Sequence, residues 1–247
     1  MQISEAKILI TGGARGIGNY LAIQLLQKAA KVYVLDNNDT LISQLPGHAN
    51  LRTFKCNVTN YEEVKEVVGK VFQEGGVNVL INNAGVIHSE PLINLMSQPD
   101  RKHSLENWNR VVSLNLNSVF YMTSHVADHM IAKKEKGVII NISSISAQGN
   151  LGQSAYSATK AAVEALTKTW SKELGMFKIR SVCIAPGFFN TPSTREGLSE
   201  NMLAKWEKAV PIRRLGELQE LLQATEFLIQ NEYYNGKILA LDGGLNI

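Results

Sequence analysis

Tyr156 and Lys160 stand four residues apart in a segment, Ala155–Leu174, whose residues favour a helix. On a helix that spacing places a phenol and an ammonium on one face, one turn apart. Ser143 and Ser144 follow the apolar run Val138–Ile142, which reads as a buried strand. A strand-end hydroxyl, a phenol and an ammonium then converge, and together they form an acid–base device. Taken alone, such a Tyr/Lys pair is more often two surface neighbours. The reading therefore rests on what surrounds it.

A second group of residues suits a phosphate. Gly12, Gly16 and Gly18 lie between the apolar run Lys7–Thr11 and a helix-forming segment with Ile17, Leu21 and Leu25 as its apolar stripe. Glycines allow a sharp turn and close approach of a pyrophosphate, and the helix start supplies unpaired N–H groups. Asp36 ends the next strand. A carboxylate there accepts from ribose hydroxyls and repels a 2′-phosphate, which favours NAD over NADP. Arg15 argues the other way, because a guanidinium in the turn suits that phosphate. Charge logic favours NAD. Asn57 and Val58 follow a third strand at the place for an adenine, with the Asn57 amide oxygen as acceptor. Asn82 and Asn83 end a fourth strand and read equally as turn or site residues.

These residues need a scaffold, and the pattern supplies one. Strand-like runs at 7–11, 31–35, 51–56, 77–81, 138–142, 179–184 and 237–241 alternate with helical segments. Among the latter, Tyr61–Gln73 and a long Leu105–Lys133 stand out, with Ser104 as a start signal. Alternation predicts an α/β doubly wound parallel sheet (a Rossmann fold) of about seven strands, helices on both faces. No linker divides residues 1–247, so one domain is expected. Every chemical motif follows a strand, on the side where such sheets bind ligands.

The net charge of +3, from 25 basic and 22 acidic residues, argues against nucleic acid or a membrane surface. No leader and no long apolar run is seen. Two cysteines without metal spacing suit a reducing, cytoplasmic setting. His125 and His129 share a helical face without a third ligand, so no metal is expected.

In sum the sequence resembles the classical short-chain dehydrogenases/reductases, closest to oxoacyl reductase, hydroxyacyl and hydroxysteroid dehydrogenase members. The matching residues are Thr11-Gly12-x-x-x-Gly16-x-Gly18, Asn82-Asn83-Ala84-Gly85, Asn115 between two leucines, Tyr156-x-x-x-Lys160, Pro186-Gly187 with Thr191, and Asp242-Gly243-Gly244. The resemblance implies Tyr156 as general acid/base, its pKa lowered by Lys160 from about 10. It implies a serine that positions the carbonyl, and Asn115 in a water-linked proton path. Phe189 and Thr191 would meet the carboxamide. The cofactor set is then Gly12, Arg15, Gly16, Ile17, Gly18, Asp36, Asn57, Val58, Asn83, Tyr156, Lys160, Phe189 and Thr191.

The family's usual spacing selects Ser143, whereas strand register selects Ser144. We take Ser144, because a loop deletion is easier to absorb than a register slip. The expected activity is hydride transfer between NAD(H) and a secondary alcohol or ketone, with a 3-oxoacyl or 3-hydroxyacyl thioester favoured. Steroid or alicyclic alcohols are the alternative, and a non-catalytic NAD-binding sensor is the different class. Segments near 88–103 and 188–210 are expected to close on the substrate. A homotetramer is the expected assembly, implied by the resemblance and the small-residue face of the Tyr156 helix.

Overall fold

Seven parallel strands set the frame: β1 (Lys7–Thr11), β2 (Lys31–Asp36), β3 (Leu51–Lys55), β4 (Val79–Asn82), β5 (Gly137–Ile142), β6 (Ile179–Pro186) and β7 (Ile238–Leu241). Their order is β3-β2-β1-β4-β5-β6-β7, so the chain reverses direction across the sheet between β1 and β4. The computed structural model describes residues 1–96, 99–191, 194 and 200–245. The central strands β1, β2, β4, β5 and β6 are mostly buried apolar runs because both faces of the sheet are covered, whereas the edge strands β3 and β7 are partly exposed.

Alternation along each strand builds two cores. Ile8, Ile10, Val32, Val34, Val138 and Ile140 face α1 (Gly16–Leu26) and α8 (Leu218–Gln230). Leu9, Tyr33, Leu35, Leu80 and Ile139 face α3 (Tyr61–Gln73) and α5 (Ser118–Ala132). Helix α6 (Ser154–Glu173) packs Val163 and Trp170 against Val119 of α5. Helix α7 spans Glu200–Ala209.

Local chemistry sets the helix ends. Asn60 caps α3 by accepting from the Glu62 and Glu63 N–H groups. Ser104 caps α4 (Leu105–Val112) through the Asn107 N–H. Glu217 and Glu220 cap α8 reciprocally.

Three sequence expectations change. The single helix over Leu105–Lys133 is split, because a π-helical turn at Ser113–Asn117 separates α4 from α5. The acidic turn after Asp36 contains a short helix, α2 (Asp39–Ser43), capped by Asn38. Ile17 is only partly buried and lines the cleft described next, leaving Leu21, Ala22, Leu25 and Leu26 as the buried face of α1.

Candidate active site

The carboxyl ends of the strands open onto one cleft of about 1490 Å³. Gly12, Arg15, Gly16, Ile17, Asp36, Asn57, Val58, Asn83, Ser144, Tyr156, Lys160, Phe189 and Thr191 all line it. Gly18 lies beneath the turn. A Cβ there would stand 2.3 Å from the Gly12 carbonyl oxygen and 2.5 Å from Asn83 Nδ2. Gly12 and Gly16 adopt φ of 62° and 56°, which side-chain-bearing residues rarely do. Asn83 ties β4 to the turn, its Nδ2 donating to the Thr11 and Gly12 carbonyls at 2.9 and 3.1 Å.

Two expected contacts are differently disposed. Asp36 uses both carboxylate oxygens on backbone, accepting from Ala14 N–H and Asn38 N–H at 3.1 Å each. It therefore braces the glycine turn. Asn57 Oδ1 accepts from the Thr59 N–H and hydroxyl at 3.1 and 2.8 Å, so this oxygen stabilises its own turn rather than standing free for an adenine amine.

The acid–base residues converge at the end of β5. Ile139, Asn141 and Ser143 alternate onto one side of the strand, and the Ser143 hydroxyl faces Glu164 Oε1 at 3.0 Å and the Lys160 carbonyl at 3.2 Å. Ser144 lines the cleft together with Tyr156, and its hydroxyl acts to lower the Tyr156 pKa. Ser144 Oγ also accepts from the Ser146 N–H at 3.2 Å. Tyr156 and Lys160 are buried, on one face of α6. Lys160 Nζ donates to the Ile142 carbonyl at 2.7 Å and lies 5.7 Å from the Tyr156 ring centroid.

Asn115 sits in the π-helical turn, where the widened backbone turns its side chain out of the helix. The Val86 N–H donates to its Oδ1 at 2.8 Å, and its Nδ2 donates to the Val86 carbonyl at 2.9 Å. A Cβ on Gly85 would lie 3.1 Å from Asn115 Oδ1 and 3.7 Å from Lys160 Nζ, so these two polar tips flank one small space. Thr191 is buried and its hydroxyl bonds to the Thr194 hydroxyl at 2.8 Å.

The electrostatics differ from expectation at Tyr156. Burial pushes its hydroxyl above the ordinary tyrosine range, and the Ser144 hydroxyl offsets only part of this. Lys160 is pulled down to about 8, chiefly by burial. The sign of the consequence follows from linkage. Between about 8 and the ordinary lysine value, unfolded chain binds a proton that the fold rejects, so stability rises with pH there. Lys160→Met removes this term. Urea unfolding of both proteins across that range should show wild type gaining up to about 3 kcal/mol on the variant. A pH-independent difference would mean that Lys160 is not held in this environment.

A polar layer escaped the sequence reading. Asn82 Nδ2 donates to Thr123 Oγ1 and to Asn141 Oδ1, and Asn141 Nδ2 donates to Thr167 Oγ1. This buried network joins β4, β5, α5 and α6 beneath the site. Asparagines inside apolar strand runs were the available signal. The 88–103 segment docks at the cleft rim, where the Glu90 N–H donates to the Gly152 carbonyl at 2.6 Å. Residues 97–98 of that segment, and 192–193 and 195–199 of the second, lie outside the described residues.

A parallel sheet with a glycine turn at positive φ, a long cleft and a Ser144–Tyr156–Lys160 cluster in its wall defines a dinucleotide-dependent oxidoreductase. The model of the short chain dehydrogenase family matches residues 6–201, and the chain belongs to that family. It is an NAD(P)-dependent oxidoreductase acting on CH–OH or keto groups. The 3-oxoacyl-acyl-carrier-protein reductase FabG of Thermotoga maritima is 38% identical over 258 residues, covering 100% of both chains. Its Escherichia coli K12 counterpart is 36% identical over 249 residues, covering 98% of each. A crystal structure described as a gluconate dehydrogenase of Agrobacterium tumefaciens superposes with a TM-score of 0.89 at 26% identity, covering 98% of this chain and 96% of that one.

These comparisons correct the cofactor expectation. The FabG relatives are NADPH-dependent, so the preference for NAD over NADP does not stand. Asp36 accepts from the Ala14 and Asn38 amides, and the exposed Arg15 lining the same cleft offers a cation for a 2′-phosphate. Among the described residues, no helix is long and apolar enough to cross a membrane.

Proposed function

We propose that the protein reduces the keto group of a 3-oxoacyl thioester to the 3-hydroxyacyl product, using NADPH. The carrying observation is the buried Tyr156–Lys160 pair on one face of α6, with Ser144 beside it at the wall of the cleft, in a chain matched end to end by 3-oxoacyl reductases. The cleft would hold a dinucleotide, which when bound would supply the hydride for the carbonyl carbon. Tyr156 gives its proton to the carbonyl oxygen as negative charge develops there. Ser144 Oγ donates to the same oxygen and holds it in line. Lys160 stabilises the resulting phenolate and binds the nicotinamide ribose, while Asn115 positions the proton path that recharges it. Phe189 and Thr191 hold the carboxamide, and Asn57, Val58 and Asn83 line the adenosine side.

Arg15 is the cation that meets the 2′-phosphate from the mouth of the glycine turn. Arg15→Ala should raise KM for NADPH about tenfold and leave kcat within about twofold. Equal KM values for variant and wild type would remove Arg15 from this role.

Ile87, Phe188, Met202 and Trp206 line the cleft with apolar surface suited to an acyl chain. Phe188 and Trp206 pack at 4.1 Å between ring centroids. Ile87 on one rim and Phe188, Met202 and Trp206 on the other flank this acyl chain, in a single domain. We infer assembly as a homotetramer through α5 and α6, and a cytoplasmic setting. The test is NADPH consumption with acetoacetyl thioesters against cyclic ketones. Thioester turnover with a kcat/KM at least a hundredfold higher supports the assignment, and preference for a cyclic ketone overturns it.

A further inference from the structure

Away from the reacting groups, three metal-ligating side chains meet where the 88–103 segment joins α4. His88, Glu90 and His103 each offer one ligand atom, and these atoms lie within 4.8 Å of one another. His88 Nε2 is 2.9 Å from Glu90 Oε2, and His103 Nδ1 is 3.7 Å from the same oxygen. In a tetrahedral site with bonds of about 2.1 Å, ligand atoms stand roughly 3.4 Å apart. The three side chains are therefore close to the spacing an ion would impose.

The cluster is half-buried and braced. The His103 side chain is 7% exposed, and its Nε2 is buried without a partner. The Ser104 N–H donates to Glu90 Oε1 at 2.8 Å, and Asn107 Nδ2 donates to Glu90 Oε2 at 3.0 Å. Such outer hydrogen bonds orient a ligating carboxylate.

We propose that His88, Glu90 and His103 bind a divalent transition-metal ion, Zn²⁺ being the best suited, with a fourth position for water. Two imidazoles and one carboxylate form a recurrent zinc donor set. Binding requires lone pairs on His88 Nε2 and His103 Nδ1, so each ring carries its proton on the other nitrogen. For His103 the Nδ1 contact to the Glu90 carbonyl, at 3.1 Å, is then given up and the proton passes to the unpartnered buried Nε2, so the metal–ligand bonds must offset both changes. For His88 the proton moves to Nδ1, where Arg110 Nη2 now stands at 3.4 Å. Arg110 is exposed and swings away. The ion ties the base of the segment to the start of α4, beside the Glu90–Gly152 contact, and acts as a clip on the cleft rim.

The test is calorimetric titration of chelator-treated full-length protein with Zn²⁺, paired with Co²⁺ absorption spectra. Expected are one ion per chain, a Kd on the order of micromolar, visible bands of low-coordinate cobalt, and at least tenfold weaker binding in His88→Gln and in His103→Gln. Saturating Zn²⁺ should raise the melting temperature by about 5 °C. Absence of binding and of cobalt bands in wild type overturns the proposal without reference to any variant. Unchanged binding in both folded variants also overturns it, by placing the ion elsewhere. Neither readout depends on turnover, so failure here leaves the reductase assignment separately testable.

Discussion

Replacing Tyr156 by Phe should lower kcat for ketone reduction about a thousandfold and leave NADPH affinity within about threefold. The ring packs in a buried position, so Phe preserves the wall of the cleft and α6. What disappears is the hydroxyl that, in our account, delivers the proton. General acid catalysis by one positioned group contributes about 10²–10⁴-fold, which sets the magnitude. Stopped-flow turnover with fluorescence titration of NADPH separates chemistry from binding. A variant within tenfold of wild-type kcat would require another proton donor.

Gly18→Ala should raise the NADPH Kd roughly 5- to 150-fold while the sheet remains folded. The added Cβ would meet the Gly12 carbonyl oxygen at 2.3 Å and Asn83 Nδ2 at 2.5 Å. Neither neighbour yields easily. The first is backbone of a turn at positive φ, and the second is tied to the Thr11 and Gly12 carbonyls. Relief demands opening of the turn that receives the pyrophosphate, at about 1–3 kcal/mol for overpacking. Titration by fluorescence, with far-UV circular dichroism as the control for folding, gives the answer. An NADPH Kd within threefold of wild type would show that the turn accommodates a methyl group.

The frame was legible because long apolar runs alternate with helical periods, and both cores draw on those runs. Tyr61–Gln73 has the same bounds in sequence and structure, since Asn60 and its acidic first turn mark the start plainly. The preference for Ser144 over Ser143 rests on strand register, which sets the two hydroxyls apart. Alternation along β5 carries Ser143 to Glu164 and Ser144 to the cleft wall with Tyr156.

Other features depended on partners distant in the chain. Asp36 was judged by its own charge, whereas the Ala14 and Asn38 amides determine what its oxygens do. Lys160 was read as the group that lowers Tyr156, yet burial dominates both residues. The π-helical turn at Ser113–Asn117 leaves no mark in a helical period, because one extra residue per turn hardly disturbs the apolar pattern. His88 and Glu90 are joined to His103 only when the segment folds back, so the triad was invisible to local spacing.

The central claim is hydride transfer to the keto carbon of a 3-oxoacyl thioester. It is tested most directly by incubating the purified protein with an acetoacetyl thioester and NADPH deuterated at the transferring position of nicotinamide C4, then analysing the product by mass spectrometry. Our account predicts a 3-hydroxybutyryl thioester carrying one deuterium on the hydroxyl-bearing carbon. Unlabelled product, or unreacted thioester beside a protein that binds NADPH, would contradict it.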